Sequence, residues 1–558
     1  MPEDPIFRNL VEISTISSEL LVGVPVQELV SVLSRYHIPE YILMTSTVTK
    51  ILQSLEPAHM DPSKLTECLT DTRTNILNWV IDWATAPRTT QNVLWIHGLA
   101  GSGKSTLAAT LASAFRDQGR LGAFLFFARD VTERSNPTTV VRTLAYQLGT
   151  FHPDIGKCIA TYIKSTPSIC LSPLPFQFRR LLIDPLSSFP TLRTPIVFVF
   201  DGLDQCGTPE ERESLMNVLS EQSGHLPPAI RFIFTSRAES DIRRAFDPQP
   251  PQPHILTREL DITTQANTDD ISSYFRHGLS IVRAKNKRLS LGADWPGEGT
   301  IRELTERASG LFIWASTALE FIDGYNPKIC LDIILNGEVA PAAQAALDSL
   351  YKTALESEGN WDDKDFVTDF RAILGLVLVA ETPLSSSAID RLLDKRTSCP
   401  ADHTVSKLAC VLQQTPTVRV LHSSFAEFLL TRSRCGRDIW WFNPAPHHRS
   451  LAVQCLYRLN EVLKYNVCGL TLSKDVSYQG PSANESFPED VSYACMFWIE
   501  HICIINDDVE SIFELLKSFL TRHLLHWFEA MSILRRSRDT IASLRSLLIW
   551  MTVSCAMA

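Results

Sequence analysis

The sequence predicts an α/β fold: a parallel sheet with helices on both faces, followed by helical domains, one of them with a short β element. Three observations predict it. An apolar run, Val93-Leu94-Trp95-Ile96, leads into the glycine-rich loop Gly98-Leu99-Ala100-Gly101-Ser102-Gly103-Lys104-Ser105-Thr106, and helix-forming residues follow from Leu107 to Phe115. A second apolar run, Ile196 to Phe200, ends in Asp201. Around these, apolar strands alternate with helical patterns, which implies βαβ units and a parallel sheet.

The loop fits G-x-x-x-x-G-K-[ST] between a strand and a helix, the context a phosphate-binding loop requires. Glycines let backbone N–H groups turn inward around phosphate oxygens, and the helix N-terminus adds positive dipole at the same place. The candidate nucleotide-binding residues are therefore Gly98, Gly101, Ser102, Gly103, Lys104, Ser105 and Thr106. Lys104 is suited to reach the β/γ-phosphates, and the Ser105 hydroxyl to bind Mg²⁺. The bland alternative is a chance Gly/Ser turn, which the strand and helix flanks disfavour. Asp201 ends its strand at the carboxyl edge, where ligands bind in open α/β sheets. As a hard oxygen donor it is the second candidate Mg²⁺ ligand.

At 558 residues the chain is too long for one core, so several domains are expected. Hydrophobic residues make up 45% and charged residues 20%, the balance of a folded protein. A net charge of −10 without a long basic run argues against nucleic-acid binding. The 13 cysteines lack C-x-x-C pairs or metal spacing, which points to free thiols in a reducing compartment. No stretch reaches the roughly 18–20 uncharged apolar residues of a membrane span. The acidic start, Met1 to Pro5, is unlike a signal or transit peptide. A soluble cytoplasmic protein is the expectation.

In chain order, residues 1–62 carry a helical pattern from Pro25 to Tyr36 and no chemistry-bearing constellation. An amphipathic helix is expected over Ser63–Ala84, in a linker of residues 63–90. Within a core of residues 91–260, Ala123–Phe127 and Arg231–Phe234 read as further strands. Thr138–Leu148 and Phe176–Ile183 read as helices. A helical domain, 261–364, follows, with helices over Asp269–His277, Gly299–Asp323 and Asp348–Leu355, and Leu311 to Trp314 buried. In 365–445, helices over Asp365–Val379, Ala388–Leu393 and Ser424–Leu430 with a strand at Val418–His422 fit a winged-helix module. Without a basic recognition helix, that module reads as structural. Residues 446–558 read as α-helical.

Several stretches in order resemble the fungal NACHT-domain proteins of the STAND class, with a nephrocystin-3-like NTPase region. They are Glu67 to Arg73, Ile96 to Thr106, Arg129 to Pro137, Leu144 to Leu148, Asp201 to Cys206, Thr235 to Arg237, Gly310 to Ala315, His422 to Leu429 and Tyr493 to Trp498. The resemblance implies a signalling switch that holds ADP between the NTPase core and a winged-helix lid. Exchange for ATP with Mg²⁺ opens it and permits homo-oligomers. It implies that His422 contacts the β-phosphate, where a His N–H would make a charge-assisted bond. In related AAA-like ATPases the strand corresponding to 231–236 lies between the P-loop and Asp201 strands, and its tip senses the γ-phosphate. Arg237 is the candidate for that role.

Two departures bear on activity. The resembled family carries an acid where this chain has Gln205, and an amide cannot take a proton from the attacking water. Asp204 remains as the catalytic candidate, and hydrolysis is expected to be slow or absent. The chain also shows no repeat period of the sensor kind. The readings left open are a nucleotide-dependent switch, a degenerate nucleotide-holding scaffold and a P-loop small-molecule kinase. For the kinase no acceptor pocket or base is legible. ATP is favoured over GTP because no Asn-Lys-x-Asp guanine-reading stretch is present.

Overall fold

Five strands, β1 (Val93–His97), β2 (Leu121–Phe126), β3 (Ile196–Asp201), β4 (Ile230–Ser236) and β5 (Ile255–Glu259), form one parallel sheet in the order β2-β3-β4-β1-β5. They belong to a computed structural model that describes residues 47–557 except 63–64, 87–89, 130, 190–191, 193, 249, 290, 325, 338–341, 394–395, 468–486, 507–508 and 538. The helical pattern at Pro25–Tyr36 lies outside the described residues. As expected, β4 separates the P-loop strand β1 from β3, which ends in Asp201.

Strands β1 to β4 are mostly apolar because both sheet faces are covered there, and alternate residues serve different faces, whereas the edge strand β5 ends in the exposed Arg258 and Glu259. Trp95, Phe198, Phe200, Phe232 and Phe234 point to one side. They pack there on α3 (Val140–Phe151), α4 (Pro153–Ser165), α5 (Pro209–Glu221) and α6 (Ser240–Phe246). Leu94, Ile96, Val197, Val199 and Ile233 point to the other, against α1 (Thr74–Thr85) and α2 (Lys104–Asp117). The edge strand β2 is met by a side chain. Phe124 N–H donates to the Gln147 Oε1 of α3 at 2.8 Å, and Gln147 Nε2 donates back to the Phe124 carbonyl at 3.3 Å.

The helical part begins with α7 (Gln265–Lys285), α8 (Glu298–Arg307), α9 (Phe312–Ile322), α10 (Pro327–Asn336) and α11 (Ala343–Glu358). Then come α12 (Lys364–Val379), α13 (Ser386–Leu393), α14 (Ala401–Lys407), the antiparallel pair β6 (Leu412–Gln413) and β7 (Arg419–Val420), and α15 (Ser423–Leu430). Leu384 bridges Val418 as a third, single-residue strand, so three helices and a small sheet follow the order of a winged helix. The last helices are α16 (Pro444–Val462), α17 (Glu489–Cys503), α18 (Glu510–Ile533) and α19 (Asp539–Met557). One continuous apolar core runs from Ile271 of α7 to Trp550 of α19.

Four expectations are corrected. The helix expected over Ser63–Ala84 starts only at Thr74, because Asp71 (φ 67°) and Arg73 (φ 56°) turn the chain left-handed just before it. Leu65 and Leu69 therefore sit in a non-helical segment. The single helix expected over Gly299–Asp323 is two, broken at Ser309 (φ 48°) and Gly310 (φ 81°). A Cβ at Gly310 would lie 2.4 Å from the Ile262 carbonyl, so only glycine fits that turn. Leu311 and Trp314 are buried as expected, but Phe312 and Ile313 are only half-buried. The strand expected over Val418–His422 is reduced to Arg419–Val420, and α14 was not legible as a helix.

Phe232 stacks on Phe198 and Phe234, with ring centroids 5.1 and 5.8 Å away. Phe232→Ala is expected to destabilise the sheet by about 3–5 kcal/mol, and Phe232→Leu by less, about 1 kcal/mol. The shift of the denaturation midpoint measures both.

Candidate functional site

At the carboxyl edge of β1, β3 and β4 lies a cleft of about 230 Å³. Its lining brings together Gly101, Gly103, Lys104, Ser105, Thr106, Asp201, Asp204, Arg237 and His422, residues spread over more than 300 positions of sequence. Gly98 and Ser102 complete the loop behind them. The strand β1 carries the loop out of the sheet, and the N-terminus of α2 closes it.

The loop's shape follows from its glycines. Gly101 (φ 75°) and Gly103 (φ 90°) take conformations that side chains resist. A Cβ on Gly101 would also strike Ile313 Cγ2 at 1.9 Å. Lys104 Nζ donates to the loop's own carbonyls, Gly98 O at 3.0 Å and Leu99 O at 2.7 Å. Burial lowers the Lys104 pKa to about 8, while Asp204 and Asp201 nearby oppose that fall. The Thr106 hydroxyl donates to Gly103 O at 2.8 Å. The Ser102 hydroxyl is buried with no hydrogen-bond partner among the described residues.

Asp201 is buried at the end of β3, and that burial raises its pKa. Thr235 of β4 donates its hydroxyl to Asp201 Oδ1 at 2.5 Å, and Ser105 hydrogen-bonds the same carboxylate. Two hard oxygen donors side by side, next to a loop of inward N–H groups, fit a Mg²⁺ ion that takes its remaining ligands from water and phosphate. No cluster of three or more His, Cys, Asp or Glu at metal-binding distance occurs among the described residues.

Past Asp201, Gly202 (φ 71°) turns the chain into a short helical turn, Leu203–Gln205. Asp204 and Gln205 both line the cleft. Asp204 is taken up by Arg237 at the tip of β4. The Arg237 amide donates to Asp204 Oδ1 at 3.0 Å, and its Nε lies 3.4 Å from Oδ2. The fully buried Arg212 of α5 fastens both loops from behind. It donates to the carbonyls of Asp204 and Gly207 and pairs with Glu239 and Asp241.

The lid side of the cleft is α15. His422 caps it: the ring Nδ1 accepts from Ser424 N–H at 3.1 Å, which leaves Nε2 to carry the proton. Burial, with Arg237 and Lys104 nearby, lowers the His422 pKa to about 4. The ring is neutral at physiological pH, and its Nε2 is left as a neutral N–H donor. Arg237 reaches across to the same helix. Its Nη1 lies 2.5 Å from Glu427 Oε1 and its Nη2 donates to Ser423 Oγ at 3.1 Å.

Sequence reasoning missed the wall opposite α15. Thr66 to Leu69, Thr72, Arg73, Tyr274 and Phe312 line it. Arg73, Phe312, Ser423 and Glu427 all fall in stretches quoted above for their resemblance, which was the available signal.

A family model described as Nephrocystin 3, N-terminal matches residues 71–237. Vegetative incompatibility protein HET-E-1 of Podospora anserina is 23% identical over 496 residues, 82% of this chain and 34% of that protein. The chain thus spans about a third of the length of that curated relative. Among solved structures, a Walker-type ATPase of Pyrococcus abyssi aligns over 66% of this chain and 99% of its own, with 14% identity and a TM-score of 0.34. Cdc6p from Pyrobaculum aerophilum aligns over 65% and 92%, with 12% identity and a TM-score of 0.32. With its motifs in order and its sheet complete, the chain is similar to the fungal NACHT-type P-loop NTPases, through the nephrocystin-3 N-terminal match over residues 71–237 and the likeness to the Podospora anserina protein.

Proposed function

We propose that the chain is a nucleotide-dependent switch that holds ADP closed and exchanges it for ATP with Mg²⁺. One observation carries this reading: Arg237 joins Asp204 of the core to Glu427 and Ser423 of α15 across the cleft. A guanidinium so placed can serve either the lid or a terminal phosphate. A third phosphate would draw it from Glu427 and weaken the closure. His422 would donate its Nε2 proton to the phosphate end of a bound nucleotide, and Lys104 would leave Gly98 and Leu99 for the same charge. Bound Mg²⁺ would offset phosphate charge, with Ser105 and Asp201 holding it.

Hydrolysis is proposed to be slow. Gln205 supplies no base, and Asp204 is engaged on both oxygens by Arg237. The same observation favours the second reading, a scaffold that keeps nucleotide without turnover. Opening is proposed to permit homo-oligomers of a cytoplasmic protein. The name of the Podospora anserina relative suggests a part in incompatibility.

Purified protein is expected to carry ADP with negligible steady-state turnover, and Lys104→Ala to carry none. Rapid turnover, or ADP retained by Lys104→Ala, would refute the reading. Glu427→Ala is expected to release nucleotide roughly three- to tenfold faster, the equivalent of about 1 kcal/mol of closure. Stopped-flow exchange of a fluorescent ADP measures it.

ADP affinity is also expected to depend on pH. The free protein loses the Lys104 proton through about pH 8, whereas an adjacent phosphate holds that proton on. Affinity should be flat below pH 7 and fall towards tenfold per pH unit above 8. Titration calorimetry from pH 6.5 to 9.5 checks the slope, and the His422 ring, already neutral, adds none above pH 6.

A further inference from the structure

The turn before α1 holds two non-glycine residues at positive φ, Asp71 and Arg73, within three positions. Such a conformation is strained for a residue with a side chain and persists only where the surroundings hold it. Arg73 is held at several points. Its backbone N–H donates to Asp270 Oδ2 of α7 at 3.0 Å. Its side chain is buried, 8% exposed, with the guanidinium over the Phe312 ring of α9 at 4.8 Å. Its Nη2 donates to the Ser102 carbonyl at 2.7 Å.

That last contact falls on the outside of the phosphate-binding loop. A peptide plane has its N–H and C=O on opposite sides. A carbonyl pulled outward at Ser102 therefore turns the next amide, Gly103 N–H, inward. On the neighbouring plane Gly101 O accepts from Ile313 N–H of α9 at 3.1 Å, while the Ser102 N–H of that plane donates within the loop to Leu99 O at 3.3 Å. Both outside donors depend on the helical domain: one is its own amide, and the other is anchored on its Asp270 and Phe312.

We infer that Arg73 is a positioning residue for phosphate binding, fixing the Ser102 peptide plane from outside the loop and tying that plane to the docked helical domain. The inference rests on the nucleotide-binding reading of the cleft. Arg73 lines the cleft beside Phe312 and also holds a loop carbonyl, so its effect through the loop falls on the groups the loop holds and is read at the phosphate end of a ligand.

The test uses the full chain, with displacement of fluorescent ADP by inorganic pyrophosphate and, separately, by adenosine. Arg73→Ala is expected to weaken ADP and pyrophosphate by about tenfold, the loss of one charge-assisted bond, and to weaken adenosine by clearly less. Arg73→Lys keeps one donor but not the planar face over Phe312, and Phe312→Leu removes that face. Each is expected to weaken pyrophosphate by about threefold, and the double variant by no more than the larger single effect. If Arg73→Ala does not fold, these two variants carry the test. Unchanged pyrophosphate displacement, or equal losses for pyrophosphate and adenosine, would overturn the inference. Wild-type protein that binds no ADP would instead overturn the underlying reading.

Discussion

A loop that turns its backbone N–H groups inward must point its carbonyl oxygens outward, and each of those oxygens needs a donor. In this chain the donors come from everywhere around the loop. Lys104 supplies Gly98 and Leu99, α9 supplies Gly101, the turn before α1 supplies Ser102, and Thr106 with the Leu107 amide supplies Gly103. Much of the architecture serves that need. The linker has to pass beside the loop, and the break at Ser309-Gly310 has to aim the start of α9 at it.

The second loop of the site is built by the opposite means. Its carboxylates, Asp201 and Asp204, are acceptors in a buried place, so the surroundings supply hydroxyls and guanidinium groups. Thr235 and Ser105 serve Asp201, Arg237 serves Asp204, and Arg212 braces the backbone behind. Among the described residues, Arg237 is the one whose side chain bonds both Asp204 of the core and α15. The state of the lid and the surroundings of Asp204 are thereby read by one side chain.

The sheet, its strand order and the loop were legible because buried parallel strands leave long apolar runs and the loop needs glycine at fixed places. Asp201 was legible for the same reason, as an acid ending such a run. What escaped depended on distant contacts. Nothing local in Thr66 to Arg73 competes with a helical pattern, yet Asp270 and the Ser102 carbonyl hold Arg73 left-handed. Nothing local marks the neutrality of His422 either, because burial imposes it. The break at Gly310 could have been found, since glycine inside an apolar helical run often marks a turn. The partners of Arg237 could not, because Glu427 lies 190 positions away and only the fold brings it near.

The amide of Gln147 lies along β2 like a fragment of one more strand, giving one acceptor and one donor to Phe124. An exposed sheet edge is a template on which another chain can pair. Here the middle of that edge is already paired, and by a residue fixed on the helix that also covers the aromatic face. A foreign strand would have to displace Gln147 before it could run in register past Phe124. The fold thus puts one side chain in the way of an aggregation route along the open side of β2.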